Sequence, residues 1–184
     1  MSRFAVTRML AAVSLTLFCF ATTAFGAAYL KIDGIDGESN DAALPCSIEI
    51  TGHSFDVMSP PVFRRGGGGG AGKVSMSDLS FTKRIDKSSP QLMLACAKGK
   101  HFPSADLHLR TSGDTPRTYL KIKMTDVLVS SYAQTGDDSG DDLPMESISL
   151  NFTKIEFTFV FPGTTGAPDE NVMFTWDLKT NTGR

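Results

Sequence analysis

Residues whose types and spacing could do chemistry fall in a few places, and none of them completes a site. Gly67, four intervening residues and then Gly72-Lys73 nearly match a phosphate-binding loop. The match fails at Val74, where a Ser or Thr hydroxyl should meet magnesium. It also fails in context, because such a loop opens a helix whereas Lys73 opens a strand. Asp137, Asp138, Asp141 and Asp142 crowd one polar run. Their spacing is not that of an EF-hand loop, with no Glu at the required distance. A flexible loop is also a poor place to hold two catalytic carboxylates apart, so the run reads as solvated.

His53, His101 and His108 are scattered, without the close ligand pairs of a zinc site. His101 follows Gly99-Lys100, where an imidazolium facing the last helical carbonyls outweighs a catalytic part. The serines lack a G-x-S-x-G context, and Asn151-Phe152-Thr153 fits a glycosylation sequon that reads as mid-strand and incidental. The residues by themselves predict a protein that is not an enzyme, with no cofactor and no metal.

The first 26 residues resemble a secretory signal peptide. Arg3 and Arg8 precede an apolar run from Met9 to Phe20, and Ala24-Phe25-Gly26 places small residues where a signal peptidase reads them. Cleavage before Ala27 would leave one domain over 27–184. The run is short for a membrane span, which needs ~20 residues, so no stable insertion is expected after cleavage. Arg3 and Arg8 are two of the 18 basic residues, so the remainder carries 16 basic against 20 acidic residues, a net charge of −4. That balance argues against nucleic acid as a partner. Cys46 and Cys96 remain. Cys96 falls on an apolar helix face and suits a free buried thiol, while spacing alone does not show whether the two pair.

The elements that would have to position any site are mostly strands. Tyr29, Leu30 and Ile32 open the first, which stops at Asp33-Gly34. Ile48 and Ile50, with Phe55 and Val57 further on, mark a second. The stretch 59–72 holds two prolines, two arginines and six glycines, a composition predicting a long mobile hairpin loop with neither strand nor helix. Val62 and Phe63 on that loop must rest either on their own sheet or on another chain. Val74 and Met76 alternate with serines, and Leu79 and Phe81 resume one residue out of step, which predicts a bulge near Asp78.

Ser89 reads as an N-cap, Pro90 as the first helical position, and Gly99 as the residue beyond the last turn. Leu92, Met93, Cys96 and Ala97 recur at helical spacing. Leu107 and Leu109 mark another strand. A long one follows from Arg117 to Tyr132, with a parity change predicting a bulge near Asp126. Glu146 to Phe161 repeats that device, and a short strand over Val172 to Leu178 holds Trp176 before the tail frays to Arg184. Long strands kinked in this way suit two packed antiparallel sheets forming a β-barrel or sandwich, with one α-helix at the side.

Four segments carry a resemblance: "AYLKIDGIDGES" from Ala28, "GGAGKVSMSDLSFTKRIDKSSPQLMLACAKGKH" from Gly69, "YLKIKMTDVLVSSY" from Tyr119 and "LPMESISLNFTKIEFTF" from Leu143. In this order they resemble the Hcp family, the tube-forming proteins of bacterial type VI secretion. The resemblance implies a β-barrel with a lateral helix, a homo-hexameric ring, and head-to-tail stacking of rings into a tube. It also implies that small effectors bind inside the ring and that the tube end meets a spike protein. The loop 59–72 matches the family's extended loop, which makes Val62, Phe63, Arg64 and Arg65 the candidate ring-stacking residues.

One departure is the leader, since tube-forming members assemble in the cytoplasm and need no cleavable signal. Export would place the chain in the periplasm or outside the cell, as a ring that binds or carries another protein outside the machine. A start at a non-Met codon further on would restore the ordinary route. A hydrolase, needing a Ser, His and Asp in one cleft, is a distant third.

Overall fold

The computed structural model describes residues 26–59, 61–63, 69–71, 73–136, 143–162 and 169–184. Nearly all of the expected leader, Arg64, Arg65, Gly67, Gly68 and Gly72 of the phosphate-loop-like run, and the aspartates at 137–142 lie outside the described residues. Chain order gives β1 Ala28–Ile32, β2 Ile48–Ile50, β3 Gly52–Ser54, β4 Val57–Met58, β5 Pro61–Phe63, β6 Gly69–Ala71, β7 Ser75–Met76 and β8 Leu79–Arg84. Then come α1 Ser89–Lys98, β9 His101–Arg110, β10 Thr118–Thr135, β11 Met145–Asn151, β12 Lys154–Phe161, β13 Glu170–Asp177 and β14 Thr182–Gly183.

All the pairings are antiparallel, and most join one 10-stranded sheet. β10 is its spine. One edge of β10 takes β9. The other takes β12 along Leu120–Thr125 and β11 along Leu128–Thr135. β11 continues to β8 and β8 to β3, while β9 continues to β1 and β1 to β2. Because β2 and β3 are one run interrupted only at Thr51, whose N–H still reaches Thr82 O at 2.8 Å, the path closes on itself. Two sheet faces therefore join at corners made by β10 and by the β2–β3 run. Leu30, Ile48, Leu79, Phe81, Leu107, Ile122, Met124 and Ile148 fill the interior.

The inward parity changes where predicted, but the bulge expected near Asp126 is not in the ladder. β10 keeps its register there with β9, β12 and β11, and its register shifts lie between Thr118 and Leu120 and between Val129 and Ser131. Ser77-Asp78 separates β7 from β8, and Asp126 takes a left-handed φ of 54° between the inward pairs Ile122/Met124 and Val127/Val129. A non-Gly residue in that region marks a place where the surroundings fix the chain. The stretch from Glu146 to Phe161 breaks at Phe152-Thr153, opposite Asp126, and becomes two strands laid end to end along β10. At that point the chain leaves the closed path, and β12, β13 and β14 extend outward as a wing.

Other expectations need correction. Pro61–Phe63 and Gly69–Ala71 do form strands, paired as a two-stranded ribbon. Glycine costs strand entropy without forbidding it, and Pro is admissible at a first strand position. The tail does not fray, since Arg184 and Thr175 exchange both backbone hydrogen bonds at 3.1 and 2.9 Å. Ser89 is the first helical residue, not the cap. Ser88 sits before it in helical conformation and supplies no side-chain cap bond. Gly99 does end α1, at φ 59°, with its own N–H on Cys96 O and that of Lys100 on Ala95 O. The face of α1 that meets β10 is Leu92 and Ala95, with Met93 and Leu94 in solvent. Cys46 is exposed and Cys96 half-buried, both free.

Candidate assembly surface and the buried charge cluster

Two features stand out once the barrel is built. The first lies under the N-terminus of α1. Lys83 occupies the inward parity of β8 after Leu79 and Phe81, and Glu146 faces it directly across the β8–β11 pair. Both side chains are fully buried. Lys83 Nζ donates to Glu146 Oε2 at 2.8 Å, Asp86 Oδ1 at 2.8 Å, Ser89 Oγ at 2.9 Å and Arg84 O at 2.8 Å. Ser89 Oγ donates to Glu146 Oε2 at 2.8 Å and accepts the Asp86 N–H at 3.0 Å, which is why it does not cap the helix. Tyr132 OH donates to Glu146 Oε1 at 2.6 Å.

Two carboxylates against one ammonium leave the cluster short of positive charge. The positive end of α1, which starts at Ser89, lies beside them. Burial works to raise the Asp86 carboxyl, but hydrogen bonds from Lys83 and Ser88 outweigh it and hold it below its ordinary value. Burial first, and then the Glu146 carboxylate, push the Tyr132 phenol up to about 12.

A serine hydroxyl on a lysine amine is also the pairing used by Ser–Lys hydrolases. Here the lysine is engaged as an ion-paired donor and the serine is 3% exposed, so neither can present a lone pair to a substrate. The arrangement fastens the helix to β8, β10 and β11. A cleft of about 440 Å³ runs alongside, lined by Glu38, Glu49, Arg84, Asp86 and Leu143. Glu38 accepts the Lys87 N–H there at 3.0 Å.

The second feature is the wing. Register places Phe157 opposite Phe174, Phe159 opposite Val172 and Ile155 opposite Trp176, so one face of β12–β13 is a continuous apolar strip. It starts in the core at Ile155 and runs outward into solvent, where Phe159 is 42%, Val172 60% and Phe174 38% exposed. The rings of Phe159 and Phe161 stack at 6.1 Å, and those of Phe174 and Trp176 at 6.3 Å. Trp176 Nε1 is buried with no hydrogen-bond partner among the described residues. The outer edge of β13 is paired by β14 only at Trp176 and Asp177, with Thr175 bonded to Arg184. Among the described residues, the edge from Glu170 to Phe174 is therefore open.

Of the four predicted stacking residues, Val62 and Phe63 lie on β5, paired with Gly70 and Gly69, and Arg64 and Arg65 lie outside the described residues. His101 is the first residue of β9. Its Nδ1 is 3.0 Å from Asp126 Oδ1 and not on the helix carbonyls, and Lys179 Nζ bonds the same carboxylate at 3.0 Å. His53 and His108 sit far apart on the sheet, each with its pKa lowered by burial. No group of three potential metal ligands forms among the described residues. Sequence reasoning missed Lys83 and Glu146, although their inward parity was readable.

The strand path closes around one core, with a helix clamped to its side and a wing leading off it. A family profile described as type VI secretion system effector, Hcp, matches residues 29–159. The chain belongs to the Hcp family. It is 40% identical to Protein hcp1 of Pseudomonas aeruginosa over 155 residues, spanning 83% of this chain and 95% of that one. A type six secretion system protein of solved structure superposes with a TM-score of 0.79 at 31% identity, covering 88% of this chain and 100% of the other. Hcp1 from Salmonella typhimurium superposes at 0.71 with 32% identity, covering 87% and 99%.

Proposed function

We propose that the chain is a structural subunit of a type VI secretion tube, closing into homo-hexameric rings that stack head to tail. The observation that carries the reading is the wing: an apolar face and, among the described residues, an open strand edge on one element. Monomeric proteins rarely leave such a surface bare, and an open edge invites pairing with another chain. A head-to-tail ring needs two different surfaces that fit each other, and the wing supplies one. Effectors inside the ring and a spike protein at its end are further partners that the family reading brings.

The β4–β7 and β5–β6 ribbons form the arm on which Val62, Phe63, Arg64 and Arg65 are assigned to ring stacking. Replacing all four with Ser is expected to leave single rings and remove stacked ones in electron micrographs. Unchanged stacking would refute that assignment.

Residues 1–26 favour a second reading, an exported ring acting as a carrier outside the machine. The test is light scattering together with intact mass on the natively expressed protein. Six subunits with full-length chains support the tube, and six subunits beginning at Ala27 support the exported ring. A monomer at all concentrations removes both.

A further inference from the structure

At the C-terminal end of α1 a groove of about 310 Å³ opens between the helix and the turn after β1. Its lining is apolar, from Ile35, Leu94, Ala95 and Phe102, with Lys98 and Lys100 beside them. Leu94 is 52% exposed, an apolar side chain offered to something not yet in place. Lys100 Nζ lies 4.8 Å from the Phe102 ring centroid. Neither lysine forms an ion pair among the described residues. The groove is thus an apolar slot with two unneutralised cations, and its complement is an acidic stretch carrying an apolar side chain.

The most acidic such stretch in the chain lies just before β11. Residues 137–142 contain four aspartates and no basic residue, and Leu143 follows directly, 55% exposed. Its near end is tied to the opposite end of the helix, because Pro144 O accepts the Ile85 N–H at 3.0 Å just before α1 begins. A helix of 10 residues is about 15 Å long, so the slot and the Leu143-Pro144 end of that stretch mark two separated places on one molecule. Two different surfaces of matching chemistry make a head-to-tail contact, which repeats from copy to copy without self-pairing.

We propose that the groove at the end of α1 receives segment 137–143 of a second copy, with Leu143 in the apolar slot and the aspartates against Lys98 and Lys100. The inference rests on the self-assembly reading and names a contact within it. Screened charges steer such a contact, so it weakens with salt as the Debye length falls to about 10 Å near 0.1 M.

The test uses full-length chains with Cys19, Cys46 and Cys96 replaced by Ser. One variant carries Leu94→Cys and another Ser139→Cys, and the two are mixed with a short bismaleimide under parallel light scattering. The expected product is an inter-copy cross-link whose yield falls at least tenfold with Lys98→Glu/Lys100→Glu. Its yield returns when the partner carries Lys at 137, 138, 141 and 142. In a further variant carrying both Leu94→Cys and Ser139→Cys, a cross-link confined to single chains overturns the proposal, as does a cross-link between the mixed variants that is indifferent to both charge reversals. Ring-sized particles without the cross-link overturn it while leaving the ring intact, whereas a monomer overturns the ring and the contact together. A cross-linked open chain of copies with no ring supports the contact and removes the ring.

Discussion

The Lys83 cluster and the β12–β13 face break the same burial rule in opposite directions. In the first, charges that water would solvate are held inside, and in the second, rings that a core would accept are left in water. The cluster is finished within the chain. Lys83 Nζ, both Glu146 oxygens and Asp86 Oδ1 have hydrogen-bond partners, and the elements joined are the helix and the three strands it must sit on. The wing is unfinished on its face and, among the described residues, along its edge. Buried charge therefore fixes how one chain folds, and exposed apolar surface records what the chain expects to meet. A buried ion pair contributes little net stability but is costly to break by halves, so its value lies in permitting one seat for α1.

The largest effect that could break this comparison is Glu146→Leu. It leaves Lys83 buried with Asp86 as its one remaining carboxylate and takes the acceptor from Ser89 and Tyr132, so about 3 kcal/mol should be lost in urea denaturation. Adding Lys83→Met should recover most of that loss. A double variant as weak as the single one would shift the weight from the ion pair to the bonds of Ser89 and Tyr132. Phe174→Asp tests the other side. It should move the unfolding free energy by only about 1 kcal/mol while abolishing assembly in light scattering, and intact assembly would remove the wing from the interface.

Tyr132→Phe comes next, at about 1 kcal/mol for one hydrogen bond. Because folding raises the phenol pKa from 10.0 to about 12, its stabilisation is full below pH 10.0 and is lost as pH rises through that window. The wild-type chain should show a tyrosinate absorbance step near pH 12 that the variant lacks. The smallest effect is that of His101→Ala, whose exposed pairing with Asp126 should leave the denaturation midpoint unchanged.

Much of the barrel was legible from side-chain alternation, because a strand with one buried face must alternate and a bulge must change its parity. The breaks at Asp78 and after Phe152 were found in this way, whereas at Asp126 the parity changes on a left-handed residue without a bulge, and the register shifts of β10 at Thr118/Leu120 and Val129/Ser131 went unread. The same alternation, carried two residues past Phe81 and two before Ile148, arrives at Lys83 and Glu146. They went unread because a charged residue at a strand end ordinarily marks the solvent. Ser89 misled for a related reason: serine before proline is a good cap, and only the neighbouring strands reveal that its hydroxyl is engaged elsewhere. The ribbon at 61–63 and 69–71 was invisible to a composition argument, since glycine weakens a strand's preference without excluding pairing. The pairing of Thr175 with Arg184 depends on register that no local pattern carries.

The open edge from Glu170 to Phe174 has a consequence for the kinetics of any assembly. Two copies meeting about a two-fold axis would lay this edge against itself, with Val172 opposite Val172, and so consume both free edges. Such a pair is self-terminating, a dead end in which neither copy can still offer its edge to a ring. Raising the concentration favours both products, and by mass action a closed ring of more copies gains on the pair, so at low abundance the dead end weighs most. What also selects is reversibility: a short edge lets wrongly paired copies part and try again, which a longer one would not.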